Sequence, residues 1–360
     1  MFYILSRKLM LLLLNTGYFV TIFNCSERET KITLKVYVIM WIFLPVLKFI
    51  ISKFIGIMRS IMKLFIPLKY QMKDISGEIA LVTGAAGGLG RAIAIGLANH
   101  GVIVVIWDIN QNGIEETMEL IKAAGGTCYG YVCDVRNRDD IYKTAEIVRE
   151  EVGQVTILIN NAGVINIGIF WKTSDDLLSR LMEVNIMSQF WNLFQTVKAF
   201  LPAMIESNTG HIVNIASIAG LFGCYRAVDY CASKYSVVGF SEALQLELDF
   251  HGHDVSITSV CPTFILNTGI PAAKFSGHLP TVIPQDVAEC TVTSIRSNRK
   301  FVLVPNYMYF LLFMKWIVPH RFYSKVLRYL MPMDRTEFYP IESQEKYKTH
   351  FSNASNVIAS

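Results

Sequence analysis

Residues 79–90 read Ile79-Ala80-Leu81-Val82-Thr83-Gly84-Ala85-Ala86-Gly87-Gly88-Leu89-Gly90. A short apolar run ends in a glycine-rich turn and enters a helical stretch. Such a turn offers backbone N–H groups and the positive end of a helix to an anion such as a pyrophosphate, and glycine lets the backbone come close to it. A tight turn with no ligand would use the same glycines, so the neighbouring sequence has to decide. Downstream come VIVVIW (102–107), GYVCDV (130–135), VTILIN (155–160), HIVNIA (211–216) and VSITSV (255–260), each followed by a helix-length segment. This β–α alternation implies an α/β fold with a doubly wound parallel sheet. The runs are apolar throughout, as strands covered on both faces should be.

The chain has 360 residues, 52% hydrophobic and 17% charged, with net charge +4. That composition excludes a disordered chain or a polyanion-binding tail. Residues 1–73 hold eleven Lys/Arg against two Asp/Glu, whereas the rest holds 22 against 27. Basic charge and apolar sequence therefore coincide at the N-terminus, which points to a membrane surface. A nucleic-acid binder would spread basic and aromatic residues over the folded body, so no nucleic-acid partner is expected. Seven cysteines without a C-x-x-C pair fit reduced thiols facing the cytosol. The seven histidines lack metal-ligand spacing, and no metal is expected.

The N-terminal region contains two apolar blocks. Leu9 to Phe23 would reach about 22 Å as a helix, short of a bilayer core of roughly 30 Å. Ile32 to Ile51 is about the length of a span, with Lys35 and Lys48 near its ends and Pro45 inside. Beyond it Lys48, Ser52, Arg59 and Lys63 form a polar, largely basic stripe on an apolar helix, suited to an interfacial position. A plain core helix is the alternative. The expected organisation is a hydrophobic, basic anchor region at 1–73, a single α/β domain at 75–305, and an apolar helix with a polar tail at 306–360. Tyr307 to Val318 has Lys315 inside and is too short to span a membrane. It is expected to pack on the core, line a channel or touch lipid.

Asp108 ends the second run, 24 residues after Gly84, where a carboxylate can accept hydrogen bonds from adenosine ribose hydroxyls. A 2′-phosphate would meet like charge there. No Arg or Lys lies between Ala85 and Leu89, and Asn110 follows Asp108, so NAD is favoured over NADP. Arg91 reads as a solvated helix residue. Asp134, with Val135 beside it, is expected to close the third strand and face the adenine edge, or else to cap the next helix. Asn160-Asn161-Ala162-Gly163 ends the fourth run, next to the cofactor by the switch-point rule.

Tyr230-Cys231-Ala232-Ser233-Lys234 places Tyr230 and Lys234 on one helical face. An ammonium beside a phenol favours the phenolate, and an opposite charge at close range lowers a pKa by roughly 1 to 3 units, which equips Tyr230 for proton transfer. Ser217, at the end of the fifth run, could hydrogen-bond the same substrate oxygen. Taken singly, these residues read equally as a packed aromatic, a solvated lysine and a helix cap.

Taken in order, TGAAGGLG, Asp108, NNAG, Asn185, Ser217 and YCASK resemble the short-chain dehydrogenase/reductase superfamily over about residues 75–305. The WDIN after strand two, YCASK, CPTFILNTG and the hydrophobic leader resemble its membrane-associated retinol dehydrogenase and 17-beta-hydroxysteroid dehydrogenase group. The resemblance implies a Rossmann domain with NAD held by Gly84, Gly88, Leu89, Gly90, Asp108, Asp134, Val135, Asn161, Ala162, Gly163, Tyr230, Lys234, Ile265 and Thr268. It also implies Tyr230 as acid/base and Lys234 on the nicotinamide ribose, lowering the Tyr230 pKa. Ser217 would orient the substrate oxygen, and Asn185 would hold a water in a proton relay. One departure is Thr263 after Pro262, where the family often has glycine. A β-branched residue restricts the backbone there and weakens the case for Ile265 and Thr268.

The stretch from Phe264 to Pro284, rich in Phe, Ile and Leu, is expected to form a substrate lid for a lipophilic alcohol, or simply to pack on the sheet. Oxidation of retinol to retinal with NAD is the expected reaction, with a 17-beta-hydroxysteroid or long-chain alcohol as alternative substrate. A non-catalytic scaffold on lipid droplets or the endoplasmic reticulum is the rival. The resemblance further implies an endoplasmic-reticulum or lipid-droplet location with the domain facing the cytosol, and a homodimer formed by the helices after Asn185 and around Tyr230. The sequons at Asn24 and Asn353 would carry glycans only on a lumenal face.

Overall fold

The computed structural model describes residues 43–56, 58, 62, 66, 71–163, 188–266 and 278–330. Contacts divide the chain into two units, Met1–Gln71 and Met72–Ser360. In the first unit, residues 43–56 form a helix whose side chains, Phe43, Phe49 and Phe54 among them, are exposed. Lys53 Nζ lies 5.2 Å from the Phe49 ring centroid. Among the described residues no helix is long and apolar enough to cross a membrane. Leu9–Phe23, Arg59, Lys63 and most of Ile32–Ile51 lie outside the described residues.

The second unit begins with strand β1 (Ile79–Thr83), helix α1 (Gly88–Ala98), β2 (Ile103–Asp108) and α2 (Gln111–Ala123). Next come β3 (Cys128–Val132), α3 (Arg138–Glu151), β4 (Ile157–Asn160) and α4 (Ser188–Glu206), then β5 (Gly210–Ile215) and a 3-10 turn at Ile218–Gly220. The long α5 (Val228–His251), β6 (Val255–Pro262), β7 (Phe264–Ile265), β8 (Thr281–Val282) and α6 (Pro284–Arg296) follow, and β9 (Phe301–Val304), α7 (Met308–Ile317) and α8 (His320–Leu330) end the described chain.

Seven strands form one sheet in the order β3-β2-β1-β4-β5-β6-β9, every pair parallel. The chain builds outward from β1 to β3, then crosses back to place β4 on the other side of β1. This reversal opens a crevice at the carboxyl ends of β1 and β4, where ligands bind in doubly wound folds. β1 shows how the sheet is covered: Ala80 and Val82 face one core with Ile93, Leu97 and Val292, while Leu81 faces the other with Val105, Leu158 and Phe200. Alternate side chains point to opposite faces of a strand, so an unbroken apolar run serves both cores.

The six expected strands are present. A seventh, β9, was not anticipated: it is only four residues long, although Ser297-Asn298 and Pro305-Asn306 bound it, and its register against β6, Ser259 to Phe301 and Pro262 to Val304, is a tertiary fact. The third strand is Cys128–Val132, earlier than the expected GYVCDV, so Asp134 does not close it but lies beyond its end. The polar tail also contains an unanticipated helix, α8. Of the alternatives for Tyr307–Val318, the helix packs Met308, Leu311 and Leu312 on the core and leaves Phe310, Phe313 and Trp316 exposed.

Candidate active site

The site begins where β1 stops. Thr83 is buried, and its Oγ1 donates to Ile159 O at 3.3 Å while accepting from the backbone N–H groups of Asn161 and Ala162, each at 3.1 Å. Asn161 Nδ2 donates to Thr83 O at 3.0 Å and Gly84 O at 3.1 Å. Asn161 thus fastens the glycine turn to β4. Gly84 has φ +68°, and a Cβ there would stand 2.9 Å from Ala162 Cα. A Cβ on Gly90 would meet Gly84 O at 2.1 Å, so only glycine lets α1 start this close to the strand end. Gly88 is also left-handed, at φ +54°.

The cap position before α1, Gly87, makes no side-chain hydrogen bond, which leaves the positive helix end to a ligand. Leu89 is buried in the core and Gly163 is exposed beside the turn. Asp108 Oδ2 accepts from Ala86 N at 3.0 Å and its Oδ1 from Asn110 N at 3.1 Å, placing a carboxylate against the glycine turn. A turn of small residues, an uncapped helix end and an adjacent carboxylate fit a dinucleotide, with its pyrophosphate over α1 and its ribose at Asp108.

Two sequence expectations here are corrected. Arg91 is not a solvated helix residue: its guanidinium donates to Ala86 O at 2.5 Å, Thr117 Oγ1 at 2.9 Å and Glu116 at 2.7 Å, tying the glycine turn to α2. Asp134 does not cap the next helix. Asn137 does so, accepting from Asp139 N at 3.0 Å. The Asp134 carboxylate instead accepts from Arg136 N at 2.9 Å and pairs with the Arg136 guanidinium at 2.6 Å, which holds it below its usual pKa against the opposing cost of burial.

Ser217 follows β5 and caps the 3-10 turn, its side chain accepting from Ala219 N at 3.1 Å. A Cβ on Gly220 would lie 2.6 Å from Lys234 O. That close packing of the turn on α5 brings Ser217 to Tyr230, whose phenol it hydrogen-bonds. Lys234 is buried, with Nζ 3.0 Å from Ile215 O and 5.7 Å from the Tyr230 ring. Burial lowers the Lys234 pKa from 10.5 to about 8. It raises Tyr230 from 10.0 to about 12, outweighing the Ser217 hydrogen bond. The expected lowering of Tyr230 by Lys234 is therefore not what this structure has. The ammonium is turned to a carbonyl rather than to the phenol, and desolvation of both groups dominates.

A cleft at the carboxyl ends of β1, β4 and β5 is lined by Thr83, Val135, Ala162, Asn192, Asn214 and Lys234 among others. Along its wall runs a polar chain that the sequence reading missed. Thr196 Oγ1 donates to Asn160 Oδ1 at 2.7 Å, Asn160 Nδ2 to Asn214 Oδ1 at 2.9 Å, and Asn214 Nδ2 to Ser241 Oγ at 2.8 Å. The lone Asn214 in the apolar run HIVNIA was the available signal. Asn192 Oδ1 is buried without a protein partner among the described residues and belongs to the same cleft. Thr263 is buried with its N–H on Val304 O at 2.9 Å, and Ile265 lies in β7, paired with β8 and packed on the core. Asn185, Thr268 and lid positions 267–277 lie outside the described residues.

The profile of the short chain dehydrogenase family matches residues 78–278, and the chain belongs to that family. It is an NAD(P)-dependent short-chain dehydrogenase, and its relatives lie in the retinol and 17-beta-hydroxysteroid dehydrogenase group. Bos taurus short-chain dehydrogenase/reductase family 16C member 6 is 43% identical over 263 residues, 72% of this chain and 82% of the relative. Mus musculus estradiol 17-beta-dehydrogenase 11 is 41% identical, covering 73% and 87%. Mus musculus epidermal retinol dehydrogenase 2 is 37% identical, covering 76% and 89%. Among solved structures, a short-chain dehydrogenase/reductase from Burkholderia phymatum in complex with NAD superposes with TM-score 0.60 at 26% identity, over 74% of this chain and all of that one. A metagenomic short-chain oxidoreductase in complex with NADP gives TM-score 0.54 at 28% identity, covering 64% and 98%.

Proposed function

We propose that the protein is a membrane-associated dehydrogenase that oxidises a lipophilic secondary or allylic alcohol, of the retinol class, with NAD. The carrying observation is that Ser217 hydrogen-bonds Tyr230, and that the Tyr230 ring lies 5.7 Å from the Nζ of Lys234, which lines the switch-point cleft. Bound NAD would supply a hydride acceptor at the nicotinamide. In this reading Tyr230 takes the hydroxyl proton, Ser217 donates to the substrate oxygen and fixes the carbinol carbon, and Lys234 binds the ribose. Asn185 would pass the proton on through a held water.

The preference for NAD is supported by Asp108, whose carboxylate would repel a 2′-phosphate. Arg91, whose guanidinium donates to the turn at Ala86 O, is paired with Glu116. Asp134, Val135, Asn161, Ala162, Gly163, Ile265 and Thr268 are proposed to complete the cofactor contacts. Membrane association through residues 1–73, at the endoplasmic reticulum or a lipid droplet with the domain toward the cytosol, is supported by their net basic charge and exposed apolar helix. A homodimer through α4 and α5 is supported by exposed Trp191, Leu246 and Phe250. The names of the relatives also support a 17-beta-hydroxysteroid as substrate.

The test is NADH formation by the membrane-bound protein offered NAD or NADP with all-trans-retinol, a 17-beta-hydroxysteroid and a long-chain alcohol. Tyr230→Phe should lose about 10²- to 10⁴-fold in turnover while still binding NAD. Full turnover in that variant would refute the acid/base assignment. NAD binding without turnover of any alcohol would favour a scaffold.

A further inference from the structure

The face formed by α7 and α8 has no role in the chemistry, and its composition is unusual. Met308–Leu330 carries Lys315, Arg321, Lys325 and Arg328 but no Asp or Glu. On α7, Phe310, Phe313 and Trp316 recur every three residues, with Ile317 next to the last, and stand in solvent, Phe310 at 69% and Trp316 at 79% exposure. On α8, Phe322 and the 70%-exposed Tyr329 flank exposed Lys325. The opposite sides, with Leu311, Leu312, Tyr323 and Leu327, pack on the core. So many exposed aromatics are uncommon on a soluble surface. Aromatics with Lys and Arg and no acid match a helix lying at a charged lipid interface. A second copy of the same face would oppose like charges, whereas an anionic phospholipid surface complements them.

The hairpin is also fastened to both sides of the reactive end of the fold. Lys315 Nζ donates to Leu221 O at 2.5 Å and to Tyr235 Oη at 2.9 Å, and Phe222 stacks on Tyr323 at 6.3 Å. Leu221 lies just past Ser217, and Tyr235 follows Lys234. At the far end of α8, His278 N donates to Leu330 O at 2.8 Å and its ring stacks on Tyr329 at 5.1 Å, where the chain returns toward β8. We infer that the α7–α8 face docks on an anionic phospholipid surface and sets the mouth of the active site against it, so that a membrane-dissolved alcohol enters laterally. The docking stands on the face alone; only the entry of the alcohol rests on the proposed reaction.

The test uses the full chain on phosphatidylcholine vesicles, with or without phosphatidylserine, carrying doxyl-labelled acyl chains. Subtracting the emission of Trp316→Phe from that of the native chain isolates Trp316. The expected result is quenching of that component by doxyl chains and protection from aqueous iodide. The effect should strengthen with phosphatidylserine and weaken in Arg321→Gln/Lys325→Gln/Arg328→Gln. Quenching by iodide but not by doxyl lipid, with the chain still vesicle-bound, would overturn the docking. So would shielding from both quenchers together with a Trp316-dependent dimer in sedimentation, which would assign the face to a second copy. For entry, Phe313→Ser/Trp316→Ser should raise KM about tenfold for an alcohol dissolved in vesicles, a loss of about 1.4 kcal/mol in apparent binding. It should leave a short water-soluble secondary alcohol unaffected, and equal changes on both would overturn lateral entry. If no alcohol turns over, the reaction fails while the quenching still decides the docking.

Discussion

Lys234 is held at a cost that its removal should reveal. The ammonium is buried, with Ile215 O as its hydrogen-bond acceptor at 3.0 Å, and its pKa falls from 10.5 to about 8. A lysine with a lowered folded pKa burdens the folded state fully below pH 8, where both states are charged. The burden shrinks between about 8 and 10.5, where the unfolded chain binds more protons, and vanishes above. That interval of about 2.5 pH units, at about 1.4 kcal/mol each, amounts to about 3 kcal/mol near neutral pH. Losing the bond to Ile215 O returns about 1 kcal/mol. Lys234→Met should therefore stabilise the cofactor-free protein by about 2 kcal/mol at pH 7 while abolishing turnover. Paired urea or thermal melts at pH 7 and pH 10 would measure it, with the gain largely gone at pH 10. A variant less stable than the native chain at pH 7, or a gain independent of pH, would refute the claim that desolvation governs this lysine.

Three further outcomes follow from the cofactor half and the outer helices. Gly90→Ala puts a methyl 2.1 Å from Gly84 O, so isothermal titration should show NAD affinity falling by at least about tenfold, with a lowered Tm. Asp108→Asn removes the charge opposing a 2′-phosphate and should shift the NAD/NADP ratio of kcat/KM toward NADP by about tenfold or more. An unchanged ratio would place cofactor selection elsewhere. Phe250, 88% exposed on α5, is placed at the proposed dimer surface, so Phe250→Glu should convert dimer to monomer in sedimentation while leaving the melting temperature within a few degrees.

Local pattern made much of this legible. The glycine turn declares itself because only a residue without Cβ tolerates φ +68° at Gly84 or the contact at Gly90. Apolar runs alternating with helical stretches forced a parallel sheet covered on both faces, and the four-residue spacing of Tyr230 and Lys234 put them on one helical face. Arg91 and Asp134 were misread because a charged side chain's partner is set by what folds next to it. Glu116 reaches Arg91 from another helix, and Asn137 takes the cap position that Asp134 was expected to fill, leaving Asp134 beside Arg136.

Sequence by itself determined the family, six of the seven sheet strands, and the glycine turn and the helical pairing of Tyr230 with Lys234, since these depend on periodicity and on backbone conformations that few residues can adopt. Tertiary structure alone decided the seventh strand, the asparagine chain along the cleft, the fastening of α7 and α8 to Leu221 and His278, and the direction of the pKa shifts at the centre. Those properties arise from contacts distant in sequence and from water excluded on assembly. The burial that pushes Tyr230 up and Lys234 down exists only once the sheet and its helices close around them.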